Sequence, residues 1–203
     1  MSRAMVVVAA GSGTRFEGDK LMTPLGGRLL VELTVTRLLP LVDELVLVCR
    51  ADQQEELSSL GVRTTTGGAT RTDSEIAGLD ALGDRHELIG IHDGARPNVF
   101  PGLVERLYAA AREHGGAVPV LPLPGPVVAR ETAAHVDGVM SAQTPQVFRA
   151  DVLIEAYREF ASPPAHDTAE VVRRHGAVRI AAVPGDPRNL KVTYRDDLAR
   201  VIP

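Results

Sequence analysis

The side chains best suited to chemistry stand close behind a run of small residues. From Val6 to Lys20 the chain reads V-V-V-A-A-G-S-G-T-R-F-E-G-D-K. An apolar strand thus leaves into Ala9, Ala10, Gly11, Ser12 and Gly13, and two cations follow. Glycine removes side chains that would block close approach to the backbone, and successive N–H groups in such a turn form an anion nest. Arg15 adds a planar fork that grips phosphate through two bonds, and Lys20 a movable point charge. The stretch fits neither common nucleotide fingerprint: G-x-G-x-x-G would need glycine at Phe16, and a P-loop would need Gly-Lys-Ser/Thr where Arg15-Phe16 stands. Small residues, a fork and a point charge in this order still point to a polyphosphate.

A second group is I-H-D-G-A-R-P, residues 91–97. Asp93 ends an apolar strand beside the phosphate loop, where a hard carboxylate suits Mg²⁺ and equally suits a turn cap. Gly94 and Arg96 are further candidate substrate contacts. Arg96 can hold phosphate or tie the loop, and His92 reads as a hydrogen-bonded structural residue rather than a base. A third group, T-T-G-G-A-T-R-T-D-S, sets Gly67, Gly68, Arg71 and Ser74 on a turn and the start of a helix. Orphan N–H groups and hydroxyls there can read a base or ribose, although Ser74 alone reads as a partner of its own backbone. Q-T-P-Q-V-F at 143–148 is an X-Pro turn with flanking amides, and N-L-K-V-T-Y-R-D-D-L at 189–198 carries Lys191 near a strand and Asp196 as a helix cap.

Elements must bring these groups together. Apolar β-rich runs recur at 4–9, 44–49, 88–92, 117–121 and 178–183, with helical patterns at 29–38, 53–60, 71–82, 101–114, 151–160 and 168–175. Strands that alternate with helices and are apolar throughout imply an α/β fold with a mostly parallel central sheet covered on both faces by helices, three layers in all. In such sheets ligands sit beyond the carboxyl ends of the strands, which places residues 11–20, 92–97 and the turn after 121 on one rim. Segment 121–142 breaks the rhythm. Pro122, Pro124 and Pro126 fit extended or edge backbone, so the segment is a surface loop or an arm that meets a second subunit.

The chain of 203 residues suits one domain, 1–203, with 121–142 as the arm. Trp is absent and the net charge is −4, which disfavours nucleic acid and anionic membrane as partners. A single cysteine, Cys49 in an apolar run, excludes a disulfide framework. No signal-peptide pattern opens the sequence and no apolar run reaches spanning length, so a cytoplasmic location is expected.

The motifs A-A-G-x-G-x-R…K, G-G-x-x-R-x-x-S, H-D-x-A-R-P, Q-T-P-Q-x-F and N-x-K-V-T-x-x-x-D-L, in this order from end to end, resemble the methylerythritol phosphate cytidylyltransferase family. The resemblance implies a Rossmann-like three-layer sandwich of the nucleotidyltransferase type, in which Ala9, Ala10, Gly11, Gly13, Arg15 and Lys20 form a CTP-phosphate loop. Gly68 and Ser74 would fall on the cytidine side, Asp93 on the metal and ribose side, and Lys191 near the reacting phosphate. It also implies a Mg²⁺-dependent transfer of CMP to a phosphorylated sugar alcohol, and a homodimer. The chain departs from the family on the acceptor side. Gly125-Pro126 stands for Asp-Thr, His166-Asp167 for Thr-Asp, and the arm lacks the family's arginine, with Arg130 its sole Lys or Arg. Another polyol phosphate, a phosphonate, or a nucleotide-binding paralogue with little catalysis are the alternative readings.

Overall fold

Strands and helices alternate along the chain in the computed structural model, which describes residues 2–202 apart from 12, 17, 160–164 and 176–177, and only the backbone of 14. The strands are β1 (Arg3–Val8), β2 (Pro24–Leu25), β3 (Arg28–Leu29), β4 (Glu44–Cys49), β5 (Arg63–Thr66), β6 (Leu88–Asp93), β7 (Gly115–Pro122), β8 (Met140–Ala142), β9 (Gln146–Arg149) and β10 (Arg179–Pro184). The helices are α1 (Leu30–Leu38), α2 (Gln54–Ser58), α3 (Arg71–Leu82), α4 (Pro101–His114), α5 (Ala150–Glu159) and α6 (Thr168–His175). Among the described residues no helix is long and apolar enough to cross a membrane.

The main sheet runs β10-β7-β9-β6-β1-β4-β5, with β8 added beside β7. β1 lies parallel to both β4 and β6, and β4–β5 and β7–β10 are parallel too. Because side chains alternate across a strand, β1 feeds two cores. Met5 and Val7 pack with α1, α2 and α4 on one face, while Ala4 and Val6 pack with α3, α5 and α6 on the other. Cys49 is buried in the first of these. A third, smaller cluster of Phe16, Leu30, Leu33, Val192 and Val201 joins the segment after the glycine-rich loop to α1 and to the C-terminal residues.

Local chemistry explains several boundaries. Thr70 caps α3 by accepting from the Asp73 N–H, while the Asp73 carboxylate accepts from the Thr70 N–H. α4 opens on Pro101 and stops at Gly115, whose φ of 96° is the left-handed geometry that glycine adopts without strain. The expected helix at 53–60 is a short 3₁₀ turn followed by α2. The last residue expected in α5, Phe160, lies outside the described residues. The reading of 143–148 as a turn alone is corrected: Gln146–Arg149 forms β9, antiparallel to both β6 and β7, and it joins the two parallel blocks. The cap at the C-terminal 3₁₀ turn is also corrected, since Asp197 rather than Asp196 accepts from the N–H groups of Thr193 and Tyr194.

Residues 123–139 leave the sheet between β7 and β8 as a narrow, exposed excursion. Val128 bridges His135, and Val136 N–H donates to the Val127 carbonyl at 2.8 Å. Val128, Val136 and Val139 present exposed apolar side chains there, as does Met140 at the start of β8.

Candidate active site

The carboxyl ends of β1 and β6 and the turn after β5 enclose a cleft of about 420 Å³, lined by Ala10, Gly11, Gly13, Lys20, Gly68, Thr70, Arg71, Ser74, Asp93 and Lys191 among others. Each wall has a local cause. The Ala9 N–H donates to Val48 at 2.7 Å, which bends the chain out of β1 toward β4. Gly13 takes a positive φ of 61°, and Phe16, where the dinucleotide pattern would need glycine, is buried in the third cluster. The loop is therefore anchored by a side chain rather than by a third glycine. Ser12 lies outside the described residues.

The turn after β5 presses directly against β1. A Cβ at Gly67 would fall 2.3 Å from the Ala10 Cβ, and one at Gly68 would fall 2.3 Å from the Asp73 Cβ. Ser74 is buried and holds this turn: its hydroxyl donates to the Thr70 carbonyl at 2.9 Å and accepts from the Gly68 N–H at 3.2 Å. Its hydroxyl thus serves its own backbone while its side chain lines the cleft. Gly94 packs by its backbone, its N–H donating to Val8 and its carbonyl accepting from Thr34.

Asp93 is the electrostatic centre. It is buried, with Oδ1 bonded to Arg71 Nη1, and Oδ2 lies 3.0 Å from Arg96 Nε and 3.2 Å from Lys191 Nζ. Burial alone would raise its pKa, but the charges of Arg71, Lys191 and Arg96 outweigh that and hold the carboxyl well below its ordinary range. Arg96 turns away from the cleft lining and also donates to the Asn189 carbonyl at 3.0 Å, so in this structure it ties the loop to the Lys191 segment. Burial, then the neighbouring charge of Lys191, draws Lys20 below the ordinary lysine range. Arg15 is exposed on its 3₁₀ turn and does not line the cleft, although its charge also reaches Lys20.

His92 is fully buried. Its Nε2 faces the Arg96 carbonyl at 3.1 Å and its Nδ1 the Thr144 hydroxyl at 3.1 Å, a pairing that fixes a neutral ring with the proton on Nε2. Burial draws its pKa down to about 4. It braces the loop and is not placed to move protons in the cleft.

The Q-T-P-Q amides do work that their sequence reading did not resolve. Gln143 donates to the carbonyls of Asp186 and Asn189, and Asn189 in turn donates to the Thr144 carbonyl at 2.8 Å. The Thr144 hydroxyl accepts from the Asp93 N–H at 3.0 Å, and the Thr144–Pro145 bond is cis. Together these bonds fix Lys191 opposite Asp93. Glu75, also missed, lies one helical turn after Arg71, 3.0 Å from its Nε. An acid four residues beyond an arginine on one helix was the signal available.

Comparison with known proteins agrees with this geometry. The family model described as IspD, 2-C-methyl-D-erythritol 4-phosphate cytidylyltransferase, matches residues 3–201. A protein of that name from Cereibacter sphaeroides is 38% identical over 98% of this chain and 95% of its own length. The crystal structure of the Thermus thermophilus protein of the same name superposes with a TM-score of 0.82 at 33% identity, covering 98% and 96% of the two chains. A 4-diphosphocytidyl-2C-methyl-D-erythritol synthase from Anaerococcus prevotii gives a TM-score of 0.85 at 25% identity, covering 98% and 95%.

Proposed function

The chain belongs to the 2-C-methyl-D-erythritol 4-phosphate cytidylyltransferase family, and from that premise we propose how its residues transfer CMP from CTP to that sugar-alcohol phosphate. An oxygen of the acceptor phosphate forms a bond to the α-phosphorus of CTP, the bond to the bridging oxygen breaks, and pyrophosphate leaves. A phosphate acceptor is already ionised at neutral pH, so no general base is needed. Positioning and charge neutralisation carry such a step.

The observation that carries the account is the convergence of Lys20, Arg71 and Lys191 on the small-residue face of Ala10, Gly11 and Gly13. The loop N–H groups and Lys20 would take the triphosphate, and Arg15 would close on its outer end from the rim. Lys191 would neutralise charge growing around the α-phosphate. Ser74 would act by holding the 68–70 turn, whose backbone then meets the cytosine. Arg71 would stand on the same side, and Asp93 near the ribose.

Mg²⁺ fits as an ion carried in on the triphosphate. Among the described residues no three His, Cys, Asp or Glu side chains cluster to cage a metal, and Asp93 offers one carboxylate shared by three cations. Of those partners Lys191 is the most exposed, at 39% against 25% for Arg71 and 11% for Arg96, so it is the one able to yield Oδ2 to an ion. Bound there, the ion would supply Lewis-acid neutralisation of phosphate oxygens. The proposal includes a homodimer, supported by the exposed apolar arm, and a cytoplasmic setting, where nucleoside triphosphates are held.

The test is pyrophosphate release from CTP and Mg²⁺ with 2-C-methyl-D-erythritol 4-phosphate and a panel of other polyol phosphates. Turnover with the first acceptor is expected; turnover only with another would move the acceptor assignment. Calorimetric titration should favour CTP over ATP, and equal affinities would remove the base-reading role of the 68–74 turn.

A further inference from the structure

We infer that Glu75 is a positioning residue for this site: it lies buried behind the cleft, fixes the direction of Arg71, and through Arg71 sets the geometry at Asp93. Glu75 is 1% exposed on α3. Its Oε1 stands 3.0 Å from Arg71 Nε and accepts from the Thr168 hydroxyl of α6 at 2.8 Å, while its Oε2 accepts from the Tyr157 hydroxyl of α5. Three helices therefore converge on one carboxylate. Arg71 lies between two carboxylates: its Nη1 is hydrogen-bonded to Asp93, while its Nε is paired with Glu75 by charge at 3.0 Å without a hydrogen bond.

Stability alone does not account for this arrangement. A buried ion pair returns little free energy against well-packed apolar residues, and Ile76 and Leu79 beside it on α3 pack apolar side chains into the same face. What the carboxylate supplies is direction. A guanidinium is planar, so drawing its Nε edge toward the buried carboxylate by charge turns its Nη edge toward Asp93 and the cleft. With Nε unheld, the fork could rotate about its stem and either double its bonds to Asp93 or swing into the space proposed for the nucleotide. The hydroxyls of Tyr157 and Thr168 keep the carboxylate itself from following.

The inference rests on the reading that nucleotide occupies the cleft lined by Arg71. It is tested with Glu75→Gln, Arg71→Lys and the double variant, measuring CTP affinity by calorimetry, kcat and KM for both substrates, and melting temperature. Glu75→Gln should weaken CTP binding by about tenfold and raise the KM for CTP more than it lowers kcat. In the Arg71→Lys background the same substitution should change CTP affinity by less than about twofold, because the fork on which it acts is gone. Equal effects in both backgrounds, or an affinity within about twofold of wild type, would overturn the inference. Should Glu75→Gln fail to fold, Tyr157→Phe and Thr168→Val loosen the carboxylate while leaving it in place. Each should weaken CTP binding in the same direction, and unchanged affinity in both rejects the role. Wild-type protein that binds no CTP would remove the reading of the cleft, and this inference with it.

Discussion

A methyl group added at Gly11 would meet nothing within 4 Å, and its φ lies outside the left-handed region, so the fold itself places no demand for glycine there. At Gly67 the same methyl would strike Ala10 at 2.3 Å. The two glycines therefore answer to different constraints. Gly11→Ala should keep the melting temperature or raise stability by about 0.4–1 kcal/mol, while raising the KM for CTP about tenfold. Gly67→Ala should lower stability by roughly 1–3 kcal/mol, as overpacking does. Lys20→Ala should cut kcat by about a hundredfold, the loss of one transition-state contact worth on the order of 3 kcal/mol. Because burial and Lys191 depress the Lys20 pKa, wild-type activity should decline on the alkaline side below the ordinary lysine range. A pH–rate profile flat through that range would contradict the assignment. His92 contributes to the acid side of stability alongside the depressed carboxylate of Asp93. The His92 folded-state pKa of about 4 lies below the ordinary imidazole value of 6.5, so between these values the unfolded chain takes a proton that the folded protein refuses. The contribution is complete above about pH 6.5 and is lost as pH falls toward 4, amounting to roughly 3 kcal/mol. Denaturant unfolding at pH 7 and pH 4.5 measures it, and His92→Gln should flatten the slope.

Phe16 shows how an element's anchor and its chemistry share one stretch of chain. Its ring packs with Leu30 and Leu33 of α1 and with Val192, the residue after Lys191, so the phosphate loop and the second lysine segment rest on one small core. Phe16→Ala should cost about 3–5 kcal/mol of stability by the usual aromatic-to-alanine loss, measured by denaturant unfolding, and should depress kcat further by loosening both lysines. In the sequence Phe16 marked only where the dinucleotide pattern fails. The sequence did not tell what the phenylalanine touched. The helices with clear signals, α3 after Thr70, α4 between Pro101 and Gly115, and α6 at Thr168–His175, were legible to the residue. β9 was not, because four residues are too few for a period to register beside a proline turn. The rule for parallel sheets gathered the loop and Asp93 on one rim, and the structure brings Lys191 to the same place. Side-chain direction was beyond it: that Arg15 does not line the cleft, that Arg96 ties the loop, and that Asp197 caps rather than Asp196 depend on rotamers that neighbours decide.

At the scale of the whole molecule, the arm carries four of the exposed large apolar side chains, Val128, Val136, Val139 and Met140. Such a patch on a slender excursion is best satisfied by a second copy. Sedimentation at micromolar concentration should give a dimer, and Val136→Lys with Met140→Lys should shift it to monomer; a wild-type monomer would end the proposal. Arg130, exposed on the same arm, should be solvated, so Arg130→Ala is expected to leave the acceptor KM within about twofold. A raised acceptor KM at constant CTP affinity would mean that it reaches a phosphate. The small core around Phe16 has one more implication, for the order in which the protein is made. Phe16 leaves the ribosome well before Val192 and Val201, which complete its seat. At the usual pace of translation they follow roughly 10–35 s later. Through that interval β1, β4 and β6 can pair and the two large cores can close, while the glycine loop waits unseated. The growing chain can thus be folded for most of its length and still lack a binding site, so a nascent polypeptide stalled before residue 192 should be protease-resistant in its sheet yet unable to retain CTP.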